Sequence, residues 1–87
     1  MHDFENSIYY CKNRLIKLTK TENRMLDLLL KNKGKVVNYN MISKYLYNSK
    51  NYKQFKNAII ITILRLRNKL KDEVEIISKR SVGYWVD

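Results

Sequence analysis

The fold is decided by residues 53–71, KQFKNAIIITILRLRNKLK, in which Ile59, Ile63, Leu66 and Leu70 recur at helical spacing. This spacing places the four apolar side chains on one stripe of a long helix, from about Lys53 to Lys71. An apolar stripe of this kind packs against a hydrophobic core. The stretch therefore predicts the central helix of a small globular domain.

A shorter helix is predicted upstream, because Asn38 is a good N-cap residue and the helical pattern continues to about Tyr47. Its inward face is formed by Ile42, Tyr45 and Leu46. Residues 48–51 are polar and predict a short loop between the two helices. A short helix joined in this way to a longer one indicates a helix-turn-helix, whose second helix enters the major groove of DNA.

The first helix is marked by a capping box, Thr19-x-x-Glu22, and its buried face is predicted to contain Met25, Leu26, Leu29 and Leu30. Gly34 is well placed as its left-handed C-terminal cap.

The two ends of the chain are predicted to form β-hairpins. At the N-terminus, residues 8–10 and 15–18 flank the turn 12–14; at the C-terminus, residues 74–77 and 84–86 flank the turn 79–83, after a helix break at Asp72 and Glu73. The sequence thus predicts one α+β domain over residues 1–87, a winged helix-turn-helix. It has a short N-terminal antiparallel hairpin or sheet, three helices and a C-terminal β-hairpin wing.

The charge balance favours a polyanionic partner. The formal net charge is +10, from 18 Lys and Arg against 8 Asp and Glu, and such an excess is relieved by nucleic acid or by an anionic membrane surface. The positive charge also has a simpler explanation, because the high content of Lys, Asn, Ile and Tyr fits the codon bias of an AT-rich genome. The longest apolar run, Ala58 to Leu64, is far shorter than the roughly 20 residues that span a bilayer, so no membrane association is expected.

Enzymatic and extracellular roles are not indicated. The only histidine, His2, lies near the terminus, Cys11 is the single cysteine, and no phosphate-binding glycine loop or metal-ligand spacing is present. A single cysteine and the absence of a secretory signal in the first ten residues predict a cytoplasmic protein. If its partner is DNA, we expect it to be nucleoid-associated. We expect no cofactor and no metal.

Three motifs resemble the OmpR/PhoB-type DNA-binding domain. In chain order they are Leu18-Thr19-x-x-Glu22 with Leu28-Leu29 and Lys33-Gly34-x-Val36-Val37, then Leu66-Arg67-Asn68-Lys69-Leu70, then Arg80-Ser81-Val82-Gly83-Tyr84. The likeness extends from about Ile16 to Val86. The chain leaves no room for the receiver domain of that family, which predicts a stand-alone winged-helix protein.

The resemblance implies binding to duplex DNA, as a homodimer or as tandem copies on repeats. The helix-three positions that match the DNA-facing sites of the family are Asn57, Ile60, Ile61, Thr62, Leu64 and Arg65. Arg80, with Ser78, matches a wing contact to the minor groove, and Tyr47 replaces a tryptophan that helps to touch the DNA backbone.

The outward face of helix three is unusually apolar for base recognition. Arg65 suits guanine, and Asn57 and Asn68 suit adenine, with Thr62 between them. Three interpretations of the apolar positions Ile60, Ile61 and Leu64 remain open: Ile61 and part of Leu64 belong to the core, the face binds a protein partner, or these side chains contact thymine methyl groups.

The wing carries more of the expected chemistry. Lys79, Arg80 and Ser81 occupy the predicted hairpin tip, and arginine is attracted to a narrow A·T minor groove, although a solvated loop tip also accumulates charge. We therefore expect the wing to carry much of the recognition. Further predicted DNA contacts are Lys53 and Lys56, at the start of helix three, and Lys69 near its end.

Three functions remain open at this point. The first is a transcription regulator that binds a specific duplex site. The second is a DNA-processing accessory of a plasmid or mobile element, in origin marking or conjugative transfer. The third is a protein-interaction module that uses the apolar face of helix three.

Overall fold

The computed structural model describes residues 1–71 and 73–87, and it confirms the winged helix-turn-helix architecture. The described elements are β1 (His2–Asp3), β2 (Ile8–Cys11), β3 (Arg14–Lys17), α1 (Lys20–Lys31), β4 (Val37–Asn38), α2 (Tyr39–Tyr47), α3 (Tyr52–Leu70), β5 (Ile77–Lys79) and β6 (Gly83–Trp85). No helix in this described part of the chain is both long and apolar enough to cross a membrane.

The N-terminal sheet is antiparallel in the order β1-β2-β3. Cys11 pairs with Arg14, so the β2–β3 turn consists of residues 12–13 and is one residue shorter than predicted. Strand β1 extends the predicted hairpin by pairing His2 with Tyr9. Ile16 faces the core from this sheet and is buried.

Helix α1 begins as the sequence predicts. The Thr19 hydroxyl accepts a hydrogen bond from the Glu22 backbone N–H at 3.1 Å, and the Glu22 carboxylate accepts one from the Thr19 N–H at 2.8 Å. The predicted C-terminal cap is wrong, because α1 ends at Lys31 with Asn32 as the cap. Gly34 does adopt a left-handed conformation (φ 80°), but its N–H donates to the Val86 carbonyl at 2.7 Å and so ties the end of the chain to this turn.

The predicted stripe of α3 forms the centre of the core. Ile59, Ile63, Leu66 and Leu70 are each at most 1% exposed. They belong to one buried cluster with Met25, Leu26 and Leu29 of α1, Ile42 of α2 and Val37 of β4, while Leu30 and Leu46 are half-buried at its margin. Asn38 caps α2 as predicted, since its side chain accepts a hydrogen bond from the Met41 N–H at 2.8 Å.

The second sheet has the order β4-β6-β5 and forms the wing. Strand β4 was not predicted from the sequence; it pairs Val37 with Tyr84. The predicted strand over 74–77 is shifted, because β5 begins only at Ile77 and the carbonyl of Ile76 accepts hydrogen bonds from the Arg67 side chain. The returning strand is likewise shifted by one residue, to 83–85. The helix break predicted at Asp72 lies outside the described residues.

Candidate nucleic-acid interface

The outward face of α3 is an uninterrupted ridge. At about 100° per residue, positions spaced by three or four fall on one line of a helix, and Asn57, Ile61, Leu64 and Asn68 have this spacing and are all exposed. Ile61 is 46% exposed and Leu64 is 56% exposed. The interpretation of these two residues as core is therefore wrong.

Basic side chains lie on both sides of this ridge. Lys53 and Lys56 are exposed near the start of α3, and the Lys56 ammonium lies 5.4 Å from the centre of the Tyr39 ring. Arg65 is exposed on the other side, where it lines a groove of about 410 Å³ that reaches Thr19 and Thr21 at the start of α1. The combination presents positive charge around an apolar strip.

Tyr47 lies at the corner between α2 and α3. Its ring stacks on Phe55 with centroids 4.2 Å apart and planes inclined by 9°. The next residue, Asn48, ends α2 in a left-handed conformation (φ 52°). Tyr47 also lines the groove beside Arg65, so the ring both closes the corner and borders the candidate surface.

Two of the predicted contact residues on α3 are less accessible. Thr62 is only 7% exposed, and its hydroxyl donates to the Ala58 carbonyl at 2.8 Å. Its side chain is therefore engaged within the helix, contrary to the expectation of an open base contact. Ile60 is half-buried on the flank of the helix.

Lys69 is hydrogen-bonded within the protein as well. Its ammonium donates to the Glu22 carboxylate at 2.6 Å and to the Lys17 carbonyl at 3.1 Å. Burial of Glu22 would raise the pKa of its carboxyl, but the hydrogen bonds and charge of Lys69, together with the bonds from Thr19, hold this pKa below its ordinary value. Lys69 is therefore a structural tie between α3 and the start of α1, and its contact with DNA stays a prediction.

The wing presents the other predicted residues. Lys79 ends β5, and Arg80, Ser81 and Val82 form the turn, all of them exposed. The turn is closed by a hydrogen bond from the Val82 N–H to the Lys79 carbonyl at 2.9 Å, with Ser81 at φ 62°. The Val82 carbonyl in turn accepts from the Tyr39 N–H at 3.2 Å, which fixes the tip against the start of α2.

Arg67 anchors the base of the wing, a role that the sequence analysis missed. Its Nε and Nη2 atoms donate to the Ile76 carbonyl at 3.0 and 2.6 Å, and Nη2 also donates to the Ser78 hydroxyl at 2.8 Å. Ser78 is thus held from the protein side although it is exposed. The signal was present, because Arg65 and Arg67 lie about 200° apart on a helix and cannot face the same way.

A tyrosine cluster supports the wing from behind. The hydroxyls of Tyr39 and Tyr84 lie 3.2 Å apart, and the Tyr39 ring stacks on Tyr52 with centroids 5.8 Å apart. Burial, followed by the hydrogen bond that Tyr84 shares with Tyr39, raises the pKa of Tyr84 to about 12. The wing is therefore held by α2, by α3 and by its own strands.

The comparisons with known proteins agree with this geometry. The family profile described as "Transcriptional regulatory protein, C terminal" matches residues 13–86. A putative epidermin response regulator from Staphylococcus epidermidis is 34% identical over 86 residues, which are 97% of this chain and 42% of that protein. The chain thus spans less than half the length of this relative.

Two solved structures have the same fold. The DNA-binding domain of Bacillus subtilis CssR has a TM-score of 0.86 at 22% identity, covering 100% of this chain and 98% of that one. The Klebsiella pneumoniae RstA DNA-binding domain, solved in complex with the RstA box, has a TM-score of 0.84 at 24% identity, covering 98% of this chain and 87% of that one. Because the family profile matches most of the length of this chain, the chain belongs to the transcriptional regulatory protein C-terminal family, the OmpR/PhoB-type DNA-binding domains.

Proposed function

We propose that this domain recognises a specific duplex DNA site in transcription regulation, with α3 in the major groove and the wing in the adjoining minor groove. The observation that carries the proposal is the exposed wing tip, where Lys79 and Arg80 project from a hairpin whose base Arg67 fixes. An arginine on a fixed hairpin can enter a narrow A·T minor groove without ordering the hairpin first. The wing therefore carries much of the recognition.

Helix α3 supplies contacts on the other groove. Its 19 residues extend over about 28 Å, and a helix of ordinary diameter fits a major groove about 12 Å wide. Lys53 and Lys56 at its start are suited to phosphates, which fix the register of the protein without reading sequence. Arg65 and Asn57 are the polar groups of α3 that match base edges.

The regulatory role is favoured over a DNA-processing role by the family description and by the named relative, a putative response regulator. The RstA domain, bound to its own box, supports duplex DNA as the partner.

We expect two copies of this domain to bind a direct repeat. A stoichiometry of two chains per selected duplex, measured by analytical ultracentrifugation, would support this arrangement. A single chain per duplex would contradict this arrangement.

The proposal is tested by selecting bound duplexes from a random pool and measuring their affinity for the parent, Arg80→Ala and Arg65→Ala. Lys12→Ala is the matched control, because it removes one exposed positive charge from the β2–β3 turn of the other sheet. We expect Arg80→Ala to weaken specific binding by on the order of 1–3 kcal/mol, as for the loss of a good base contact, and Lys12→Ala to bind like the parent.

Two results would contradict the proposal. If Arg80→Ala binds like the parent while Arg65→Ala abolishes binding, recognition lies in α3 rather than in the wing. If duplex affinity fails to fall steeply between about 50 and 200 mM salt, phosphate neutralisation is not the driving force, and the basic surface serves another partner.

A further inference from the structure

We infer that Ile61 and Leu64 on the outward ridge of α3 read thymine methyl groups, so that the bound site carries A·T base pairs beneath them. The inference rests on the proposed function, because it requires α3 to lie in the major groove. It goes further by naming the chemical group that this helix selects and the two side chains that select it.

The two side chains of the patch are open to solvent. Ile61 and Leu64 are 46% and 56% exposed, whereas Ile59 and Ile63 on the same helix are at most 1% exposed. Residues three apart are neighbours on a helix surface, so the two form one apolar patch rather than two isolated side chains. Covering a patch of this kind with another apolar group removes apolar surface from water and so favours binding.

The spacing of the two side chains is close to that of stacked base pairs. The ridge from Asn57 to Asn68 is about 16 Å long at the usual helical rise, and Ile61 and Leu64 are separated by about 4.5 Å along the axis. Base pairs in duplex DNA are stacked about 3.4 Å apart. The two side chains are therefore spaced to meet consecutive or nearly consecutive base pairs.

The chemistry of the groove selects the base. Among the groups that base pairs present in the major groove, the thymine 5-methyl is the apolar one, whereas guanine and cytosine present acceptors and a donor. Ile61 and Leu64 offer no hydrogen bond, and a G·C pair beneath them presents no methyl group to offset the covering of its polar groups, whereas an A·T pair does. The flanking Asn57 and Asn68 suit adenine, which is the partner of thymine.

The surroundings favour DNA over a protein as the occupant. The patch lies between the cations Lys53 and Lys56 on one side and Arg65 on the other, all of them exposed. Lys53 and Lys56 match the phosphates that border a major groove, and Arg65 matches a guanine edge beside the patch. A partner protein would need an apolar patch framed by acidic groups at the same spacing.

The experiment removes the methyl group alone. Duplexes are selected from a random pool built with thymidine, and the selected duplex is then rebuilt with deoxyuridine at single thymine positions. The methyl lies in the major groove, so this change leaves the minor-groove edge read by the wing unaltered. Affinities are measured for the parent, Ile61→Ala, Leu64→Ala and Leu15→Ala. Leu15 is the matched control, because it is also 46% exposed but lies on β3.

We expect deoxyuridine at one or two positions to weaken binding by the parent about fourfold for each contacted methyl, the equivalent of one buried methylene. Ile61→Ala or Leu64→Ala should bind more weakly and lose the sensitivity to deoxyuridine at its own position, whereas Leu15→Ala should keep it. Alanine is a good helix former, so neither substitution on α3 should unfold this exposed face.

Two outcomes overturn the inference. If the parent binds the deoxyuridine duplexes as tightly as the thymidine duplex, or if both alanine variants keep full affinity, the patch does not read methyl groups and is free for a protein partner. In that case the salt-dependent binding of the selected duplex would still support the proposed function. If no duplex is enriched at all, the proposed function and this inference fail together.

Discussion

Replacing Lys69 with methionine should destabilise the domain, because it leaves the Glu22 carboxylate buried without its ammonium partner. Glu22 is 2% exposed, and the Lys69 ammonium lies 2.6 Å from its carboxylate oxygen. Breaking a buried pair by removing one partner costs about 3–5 kcal/mol. The Lys69 side chain is itself 34% exposed, so water can reach the vacated position, and we expect a cost of about 2–3 kcal/mol.

A loss of this size is easily measured in a small domain. For 60–100 residues, each 1 kcal/mol lowers Tm by about 4–8 °C, so a loss of about 2–3 kcal/mol in Lys69→Met should lower Tm by about 8–24 °C. Urea unfolding monitored by circular dichroism gives the free energy of unfolding directly. The matched background is Glu22→Gln, in which the side-chain oxygen can still accept from the Thr19 N–H but carries no charge.

The same pair gives a pH dependence with a definite sign. The pKa of Glu22 is lowered in the folded state from its ordinary value of 4.5, where the bonds and charge of Lys69 outweigh burial. A lowered folded pKa contributes stability that is present above the unfolded pKa and is lost as pH falls through the folded pKa. The free energy of unfolding of the parent should therefore decline below about pH 4.5, and this contribution should be absent in Glu22→Gln.

Glu22 and Lys69 are not a coupled buried pair if Lys69→Met costs less than about 0.5 kcal/mol, or if it costs the same in the parent and in the Glu22→Gln background. A coupled pair must give a smaller loss once the charge of Glu22 is gone. If Lys69→Met instead keeps the free energy of unfolding of the parent and shows a shallower salt dependence of DNA binding, Lys69 is a DNA contact.

Three further substitutions probe other parts of the scaffold. Arg67→Met should lower the free energy of unfolding by about 1.5–3 kcal/mol through its charge-assisted bonds, and hydrogen exchange should show faster exchange of wing amides beyond Ser78; unchanged wing protection would contradict this role. Gly83→Ala should disrupt the wing sheet, because an added Cβ would lie 2.0 Å from the Val37 carbonyl oxygen, and an unchanged Tm would refute the close approach. Thr19→Ala should cost about 1 kcal/mol in urea unfolding by removing the N-cap of α1, and a neutral result would show that the Glu22 bond alone suffices.

The helices could be predicted because their signals are local. The capping residues Thr19 and Asn38 have the side-chain bonds that their positions predict, and the stripe containing Ile59 is buried. The wing was less predictable, because its strands are defined by partners distant in the chain. Strand β4 exists only through its pairing with β6, and β5 starts late because Arg67 takes the carbonyl of Ile76.

The sequence predicts which residue types lie in the candidate site, but it does not predict which of their side chains are already hydrogen-bonded within the protein. Thr62 and Lys69 have the chemistry of DNA contacts, yet the first bonds to its own helix and the second to Glu22. Such hydrogen bonds depend on which groups lie beside each flank of the helix, which a single sequence does not specify. For Ile61 the information was present, since it lies about 200° around the helix from the buried Ile59.

Helix α3 divides its surface between three tasks, and this division makes binding and stability separable. One face carries the core stripe, and the outward ridge with Ile61 and Leu64 faces solvent. On the two flanks between them, Arg67 ties the helix to the wing and Lys69 ties it to α1. Substitutions on the ridge should change DNA affinity without changing the free energy of unfolding. A flank substitution such as Arg67→Met should change both, because the wing that meets DNA is held through that flank. A ridge variant that unfolded the domain, or a flank variant that weakened binding with full stability and normal wing protection, would show that this division is wrong.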